Sequence, residues 1–450
     1  MRTRRLEPLM SVKSEADKYC RSRELRARMH RAVPGGSHTY AKGDDQYPEL
    51  SPGFIVRGSG CNVWDVDGNE FIEYGMGLRA VTLGHSYPDV VEAVRNSLEL
   101  GTNFTRPSIQ ELECAEAFLA IINGADMVKF TKDGSSATTA AVKLARRYTG
   151  RDIVAICADH PFFSYDDWFI STTTMDGGIP AAARKETLYF RYNDLEGVRA
   201  LFDSHPGEIA AVILEPARIE DPAPGFLEGL KAICHEKGSV LVFDEMITGF
   251  RWNLGGAQAE YGVVPDLSTF GKALANGFGL SALCGKRDLM QLGSRERPED
   301  DVFLLSTTHG AETTALAAAM KTMEVFRTEP VVEHLHRQGE RLRVGVRAVA
   351  ERHDLADHVQ VFGRACNLLF TAKGPDLRPS QAFRTLFMQE IIRRGVIAPS
   401  FVVSYSHSDD DIDRTIEAVD GALGVYARAL SDGVEKYLVG SPSTLVFERR

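Results

Sequence analysis

The sequence contains no apolar run of the roughly 18 residues that a membrane-spanning helix needs. Arg2, Arg4 and Arg5 are followed by polar and charged residues instead of an apolar segment, so the N-terminus predicts no secretion signal. The seven cysteines are scattered and form no Cys-x-x-Cys pair, which argues against a disulfide framework and a zinc site. We therefore expect a cytoplasmic protein with reduced thiols, no membrane segment and no bound metal.

An excess of positive charge is also missing. The chain has 52 Lys and Arg residues against 62 Asp and Glu residues, a net charge of -10, so we expect no nucleic-acid partner. It has neither a Walker A loop nor a Gly-x-Gly-x-x-Gly fingerprint, which makes a nicotinamide dehydrogenase a poor candidate. With 450 residues, 44% of them hydrophobic, the chain has ample material for a core and for more than one domain.

The spacing of apolar residues predicts an α/β fold. A charged helix is expected over residues 11–32, and a hairpin over residues 63–72 because Asp67-Gly68 separates two β-prone runs. From about residue 108 to 310, short apolar runs alternate with helical patterns, which is typical of a mostly parallel sheet covered by helices on both faces. The clearest strands are Met127–Phe130, Ile153–Cys157, Ala210–Leu214 and Val240–Phe243, and the clearest helices are Ala137–Tyr148 and Leu227–Lys237.

The pattern changes after the long alternating region. Residues 311–350 are helical in character, Val359–Phe362 and Asn367–Thr371 resemble strands, and Asp409–Leu430 predicts a last helix. This change indicates a smaller α+β domain at the C-terminal end. We therefore divide the chain into an N-terminal segment (1–70), a large domain (71–320), a small domain (321–430) and a tail (431–450).

Three features of the large domain suggest chemistry. Asp244 ends an apolar strand, where ligands of open α/β sheets bind. Residues 133–136, here called the phosphate cradle, open a helix with Gly134 and Ser135, and helix N-termini attract phosphate. Lys272 stands among small and apolar residues, which favour a neutral, nucleophilic amine. Taken singly, each feature fits a structural role equally well: a strand-end acid, a capped helix and a surface lysine.

Together the three features match the needs of pyridoxal 5'-phosphate. Such a cofactor requires a lysine for its Schiff base, an acid beside its pyridine nitrogen and a binding site for its phosphate. The combination is far more specific than any of its parts, and it predicts Lys272 and Asp244 as the catalytic pair.

Motifs along nearly the whole chain, from Val33 to Leu430, resemble the class III pyridoxal-phosphate aminotransferases of fold type I. The nearest branch is the one that contains glutamate-1-semialdehyde 2,1-aminomutase. The motifs that carry this resemblance are Pro34-Gly35-Gly36, Gly58-Ser59-Gly60 to Asp67-Gly68, Leu83-Gly84-His85, Glu215-Pro216, Asp244 to Arg251, and Pro265 to Lys272.

The resemblance implies a large domain with a seven-stranded, mostly parallel sheet and a homodimer whose active sites are shared between subunits. It implies that Gly134 and Ser135 bind the cofactor's phosphate. A threonine ahead of a Gly-Asn-Pro turn reaches the neighbouring subunit's phosphate in this family. Thr307 fits that position best and Thr308 is the alternative, but Ala311-Glu312 replaces the usual Asn-Pro, so the turn differs here.

Several positions depart from the mutase pattern. Counting from the phosphate cradle places Phe162 where an aromatic ring stacks on the cofactor, although Phe162 also fits a place in the core. Ser136 stands where the mutase has Glu, and Thr39 and Lys42 stand where it has Ser and Arg to bind the substrate carboxylate. Arg79 is an added cation near the expected substrate entrance, with a plain salt bridge as the alternative.

An intact cofactor set beside altered substrate positions predicts the same cofactor chemistry on another substrate. We expect a ping-pong aminotransferase with a small-molecule amino donor, glutamate by family analogy, and a polar carbonyl acceptor such as a sugar or sugar acid. Lys42 and Arg79 favour an anionic acceptor. The main alternative is glutamate-1-semialdehyde 2,1-aminomutase itself, and the second is a binding protein that has lost catalysis, against which Lys272 and Asp244 argue.

Overall fold

The structure is a computed structural model that describes residues 18–294 and 302–444. Its strands and helices alternate through the middle of the chain, as the apolar pattern predicts. The strands are β1 Ile55–Ser59, β2 Asn62–Asp65, β3 Glu70–Glu73, β4 Met127–Thr131, β5 Ile153–Cys157, β6 Thr187–Phe190, β7 Ile209–Leu214, β8 Val240–Asp244, β9 Leu267–Phe270, β10 Ser281–Gly285, β11 Val359–Phe362, β12 Leu369–Ala372 and β13 Val396–Ile397. The helices are α1 Cys20–Ala32, α2 Met76–Arg79, α3 Pro88–Leu100, α4 Ile109–Leu119, α5 Gly134–Thr149, α6 Asp167–Ile170, α7 Leu195–Ser204, α8 Phe226–Glu236, α9 Ala257–Tyr261, α10 Arg287–Met290, α11 Thr313–Thr328, α12 Val331–Arg352, α13 Gln381–Arg393 and α14 Asp409–Asp432.

A seven-stranded sheet forms the centre of the large domain. Its strand order is β4-β10-β9-β8-β7-β5-β6, and only β10 runs antiparallel to its neighbours. Every residue of β7 and β8 is buried, because helices cover both faces of the sheet. In β7, Ala211 and Ile213 pack in the cluster that contains α5, whereas Val212 and Leu214 pack in the cluster that contains α7 and α8. The predicted fold class is thereby confirmed.

The N-terminal segment and the C-terminal part of the chain share a second sheet. Its order is β1-β2-β3-β13, and β13 pairs in parallel with β3 through Val396↔Ile72 and Ile397↔Glu73. The predicted hairpin is β2–β3, with Val63 opposite Phe71. The division of the chain into domains stays a prediction, to which the structure adds this shared sheet.

Most predicted elements occur close to their expected bounds. The N-terminal helix begins at Cys20 and ends just before Val33-Pro34, while residues 11–17 of that prediction and residues 445–450 of the tail lie outside the described residues. The last helix, α14, extends two residues beyond its predicted end. Within residues 18–294 and 302–444, no helix is both long enough and apolar enough to cross a membrane.

Candidate active site

The carboxyl ends of three neighbouring parallel strands bring together the ionisable groups of the site. Glu215 follows β7, Asp244 is the last residue of β8, and Lys272 comes two residues after β9. Ligands of open α/β sheets bind at such strand ends. The charges of Asp244 and Glu215 both act on Lys272, which places the three groups within electrostatic range of one another.

Lys272 begins a single 3-10 turn in a left-handed backbone conformation, with φ of 43°. Burial lowers the pKa of its ammonium, and the nearby Asp244 and Glu215 carboxylates partly offset this effect. The preceding Gly271 is required by close packing, because a Cβ there would lie 2.6 Å from the Met246 sulfur. The fold thus holds the lysine in a tight, partly desolvated position, where its amine is more nucleophilic than a surface lysine's.

The motif Asp244 to Arg251, here called the Asp-Glu motif, begins with two adjacent acids that have different surroundings. Asp244 accepts a 2.9 Å hydrogen bond from the Met246 N–H, and burial raises its pKa to about 7 although Lys272 opposes the change. The carboxylate of Glu245 accepts from the Thr248 hydroxyl and, at 2.7 Å each, from the N–H groups of Ala257 and Gln258 at the start of α9. Glu245 is therefore a structural cap, and Asp244 is the acid available to a ligand.

The phosphate cradle opens α5 as predicted. Asp133 is the N-cap and accepts a 2.8 Å hydrogen bond from the Ser136 N–H and a 3.0 Å bond from its hydroxyl. The Ser135 hydroxyl accepts from the Tyr165 N–H at 3.1 Å. The Gly134 and Ser135 N–H groups belong to the first turn, where no intrahelical acceptor exists, so they are the donors available to an anion.

The segment after β5 carries the predicted aromatic position. Phe162 is 45% exposed and contacts Phe169 edge-to-face, with ring centres 5.6 Å apart. It lies outside the buried core, whereas its neighbour Phe163 is buried. His160 is buried too, and its Nδ1 accepts a 3.0 Å hydrogen bond from the Glu215 N–H, which ties the ends of β5 and β7 together.

Arg79 lies at the end of a strained turn. Met76, Gly77, Leu78 and Arg79 all have positive φ angles, between 42° and 74°. The guanidinium donates to the Asn367 side-chain oxygen at 2.7 Å and to the Ser400 hydroxyl at 3.4 Å.

The charges around Arg79 place it beside the site. Its pKa is lowered to about 10, first by burial and then by the neighbouring Arg218 cation, whereas Glu215 raises it. Among the described residues its guanidinium donates to neutral groups only, so no carboxylate holds it in a simple salt bridge there.

Arg251 of the Asp-Glu motif stabilises this turn through hydrogen bonds. Its fully buried guanidinium donates to the backbone oxygens of Cys366 and Val403 at 3.0 and 3.1 Å, and to the Thr82 hydroxyl at 2.8 Å. It also donates to the Arg79 backbone oxygen at 3.4 Å. One side chain thus joins the large domain, the strained turn and the small domain.

Two charged residues beside Lys272 and Arg79, Glu215 and Arg218, are not among the predicted site residues. The Glu215 side chain is 4% exposed, its Oε1 lies 3.9 Å from Arg218 Nε, and its Oε2 has no hydrogen-bond partner among the described residues. Glu215-Pro216 is recognisable in the sequence as a family motif, but nothing in the sequence indicates that one carboxylate oxygen of Glu215 is left without a hydrogen bond. Arg218 stands three residues later in a loop with no distinguishing pattern.

Thr39 and Lys42 lie on the N-terminal segment, and both are exposed. Lys42 lines a cavity of about 390 Å³ between that segment and the strained turn, together with Gly77 and Leu78. Neither Lys272 nor Asp244 lines this cavity, so Lys42 opens onto a different space from the one at the strand ends.

Thr307 and Thr308 are exposed on a turn ahead of α11. Glu312, which stands where the family has proline, caps α11 by accepting from the N–H groups of Thr314 and Ala315 at 3.0 Å each. Glu312 also accepts from the Thr314 hydroxyl and forms a 2.7 Å ion pair with Lys132, the residue just before the phosphate cradle. The altered turn is therefore tied to the cradle by a salt bridge.

Comparison with known proteins places the chain in a family. A family model described as "Aminotransferase class-III" matches residues 43–423. The chain belongs to the class III aminotransferase family. It is a pyridoxal-phosphate-dependent enzyme of fold type I, which confirms the predicted enzyme class, fold and cofactor. The assignments of individual site residues stay predictions.

The relatives cover nearly the whole chain. Glutamate-1-semialdehyde 2,1-aminomutase of Syntrophomonas wolfei subsp. wolfei is 34% identical over 425 residues, which is 90% of this chain and 97% of the relative. Two solved structures are also similar. FumI of Sphingopyxis sp. MTA144, in its PLP internal aldimine form, is 30% identical with a TM-score of 0.84, over 92% of this chain and 98% of that one. An omega-transaminase from Sphaerobacter thermophilus is 26% identical with a TM-score of 0.78, over 90% and 98%.

Proposed function

We propose that this class III enzyme transfers an amino group from a small-molecule donor to a polar carbonyl acceptor, with Lys272 and Asp244 as its catalytic residues. The observation that carries the proposal is the meeting of a desolvated amine and a buried carboxylate at the ends of β8 and β9. These groups fit pyridoxal phosphate, because it requires an amine, an acid and a phosphate site, and the open first turn of α5 supplies the third.

Bound pyridoxal phosphate supplies an electron sink for the substrate's Cα–H bond. Lys272 would hold the cofactor through its amine, and its Nζ, whose pKa is lowered, would accept the proton from the substrate's Cα and return it in the second half of the reaction. The Asp244 carboxylate would keep a proton on the ring nitrogen. Gly134 and Ser135 would bind the phosphate with their N–H groups, and Phe162 would stack against the ring.

The proposal includes a homodimer in the cytoplasm. Thr307, or Thr308 in its place, would then reach the phosphate bound by the neighbouring subunit. Both threonines are exposed, which agrees with a role across an interface. The Lys132–Glu312 ion pair would hold their turn in place of the usual Asn-Pro.

The proposed acceptor is a sugar or sugar acid, with glutamate as a plausible donor. Thr39, Lys42, Arg79 and Ser136 are the proposed substrate-binding residues. Arg79 supports the anionic part of this proposal most directly, because it lies within electrostatic range of Lys272. An Arg79→Ala variant should lose kcat/KM toward an anionic acceptor and keep it toward a neutral one.

Borohydride reduction followed by peptide mapping tests the catalytic assignment. We expect the reduced cofactor on the peptide that contains Lys272, and no labelled peptide from a Lys272→Ala variant. Lys132 provides an internal control, since it lies beside the cradle but is held by Glu312. Label on any other lysine, or on none, would overturn the proposed function.

A glutamate-1-semialdehyde aminomutase is the second candidate, because the Syntrophomonas relative carries that name. Incubation with glutamate-1-semialdehyde alone separates the two functions. A mutase makes 5-aminolevulinate without any added keto acid. Our proposal expects no such product, and transamination only when a donor and an acceptor are both supplied.

A further inference from the structure

The Arg79 guanidinium has hydrogen-bonding capacity that the described residues do not use. Asn367 and Ser400 take up Nε and one hydrogen of Nη2, and among the described residues Nη1 makes no hydrogen bond. Asn367 is 3% exposed, so the contact that orients the guanidinium is itself fixed by burial. The free edge of a guanidinium matches the two oxygens of a carboxylate.

Glu215 has the opposite need. Its buried Oε2 accepts no hydrogen bond from the described residues, and leaving a buried acceptor unpaired is unfavourable. Arg218 approaches Oε1 at 3.9 Å, which is beyond hydrogen-bond distance. A ligand that donates a hydrogen bond at this point would satisfy Oε2.

The two groups share one location beside the reacting amine. Glu215 follows β7, next to the strand that ends in Asp244, and its charge acts on both Arg79 and Lys272. The three residues before Arg79, namely Met76, Gly77 and Leu78, all have positive φ angles. This conformation costs free energy at Met76 and Leu78, and such strain is found at functional sites.

We infer that the acceptor is a carbonyl compound that also carries a carboxylate and a hydroxyl group: its carboxylate binds the free edge of Arg79, and its hydroxyl group donates to Glu215 Oε2. Asn367 is the positioning residue that fixes the Arg79 side chain. This inference rests on the proposed function and narrows its substrate class from polar carbonyl compounds to those carrying both groups. Sugar acids are such compounds, whereas neutral sugars and simple keto acids each lack one group.

Binding of unreactive probes tests the inference without turnover. The cofactor-loaded enzyme is titrated calorimetrically with D-gluconate, which has a carboxylate and hydroxyls, hexanoate, which has only the carboxylate, and D-glucitol, which has only hydroxyls. We expect gluconate to bind about ten-fold more tightly than either partial probe, because each supplies one of the two contacts.

Three variants assign the contacts. Arg79→Gln should weaken the binding of gluconate and hexanoate about ten-fold and leave the affinity for glucitol unchanged. Asn367→Ala should weaken the binding of the same two probes by a smaller factor, because Arg79 remains but has lost the hydrogen bond that orients it. Glu215→Gln should remove the preference for gluconate over hexanoate while hexanoate still binds.

Arg347→Gln and Glu351→Gln are matched controls, because these residues form an exposed ion pair on α12. They should leave all three affinities unchanged. Equal binding of gluconate and hexanoate to the native enzyme, or a Glu215→Gln enzyme that still prefers gluconate, overturns the inference. Cofactor attachment to Lys272 is measured separately by peptide mapping, so a failure here leaves the proposed function standing and a failure there is recognised as such.

Discussion

At the scale of single residues, the site holds charges that the fold alone does not favour. Burial raises the pKa of Asp244 to about 7 and lowers that of Lys272, so each group resists its charged form despite the other's attraction. Groups with such shifts concentrate where ligands and chemistry are. The stability lost here is consistent with a carboxylate kept for a cationic ring nitrogen.

Asp244→Asn should separate stability from function. An acid whose pKa is raised on folding costs stability above its unfolded value near 4, and the full cost is reached above about pH 7. The cofactor-free variant should therefore have a higher Tm than the native protein at pH 8, with the difference vanishing as pH falls toward 4. Scanning calorimetry across this range measures the effect.

The same substitution should reduce the rate of the donor half-reaction about 100-fold or more, because the ring nitrogen loses its charged partner. The cofactor's absorbance change measures that rate. Asp194→Asn is the control, since Asp194 caps α7 and Asn is an equally good cap. An Asp244→Asn enzyme with native rates would contradict the assignment of this acid.

A second prediction at this scale concerns the tight packing around Gly271. A Cβ at Gly271 would lie 2.5 Å from the Ser281 hydroxyl and 2.6 Å from the Met246 sulfur, so Gly271→Ala should destabilise the protein by about 1–3 kcal/mol. It should also weaken cofactor binding, because Lys272 is the next residue. Gly177→Ala, whose Cβ meets no atom within 4 Å, should change neither the Tm nor the cofactor's Kd.

At the scale of elements, the Asp-Glu motif works because its second acid fixes the loop that follows the strand. Glu245 accepts the N–H groups of Ala257 and Gln258, which open α9. Glu245→Gln replaces one acceptor oxygen with a donor facing buried N–H groups, and should cost about 2 kcal/mol of stability. Thermal unfolding measures this, with the exposed Glu351→Gln as control. An unchanged Tm would show that the cap is dispensable.

The elements that sequence could predict are those with strong local signals. Ile153–Cys157 was predicted without error because it is a short, continuous apolar run. The two-residue strand β13 is absent from the prediction because it has no local signal, and it is extended because it pairs with β3. The left-handed turn at Met76–Arg79 was missed for the same reason: Arg251, far along the chain, holds it.

The candidate site shows the same limit. Lys272 can be predicted from the small and apolar residues around it, and Asp244 from the apolar strand that it ends. Arg79 was singled out only as a departure from a family pattern, and its partner Asn367 comes from the small domain. No local pattern indicates contacts between residues nearly 300 positions apart, so the surroundings of Arg79 could not be predicted from the sequence.

At the scale of the whole molecule, the residues proposed to bind substrate come from distant parts of the chain. The N-terminal segment and the small domain share a sheet through β3 and β13, and Arg251 joins the small domain to the turn that carries Arg79. The residues proposed to hold the cofactor lie at the ends of the strands of the seven-stranded sheet. We therefore expect that the proposed substrate residues can change without disturbing Lys272 and Asp244.

A mixing experiment tests the proposed sharing of sites between subunits. Lys272→Ala and Thr307→Ala proteins should each be nearly inactive, one lacking its amine and the other the contact to its neighbour's phosphate. In a mixed dimer the Thr307→Ala subunit keeps Lys272 and receives an intact Thr307 from the other subunit, so one of two sites is complete. Random exchange between equal amounts should restore about a quarter of native activity. Thr308→Ala in place of Thr307→Ala should be active before mixing, and no recovery on exchange would place Thr307 outside the neighbour's site.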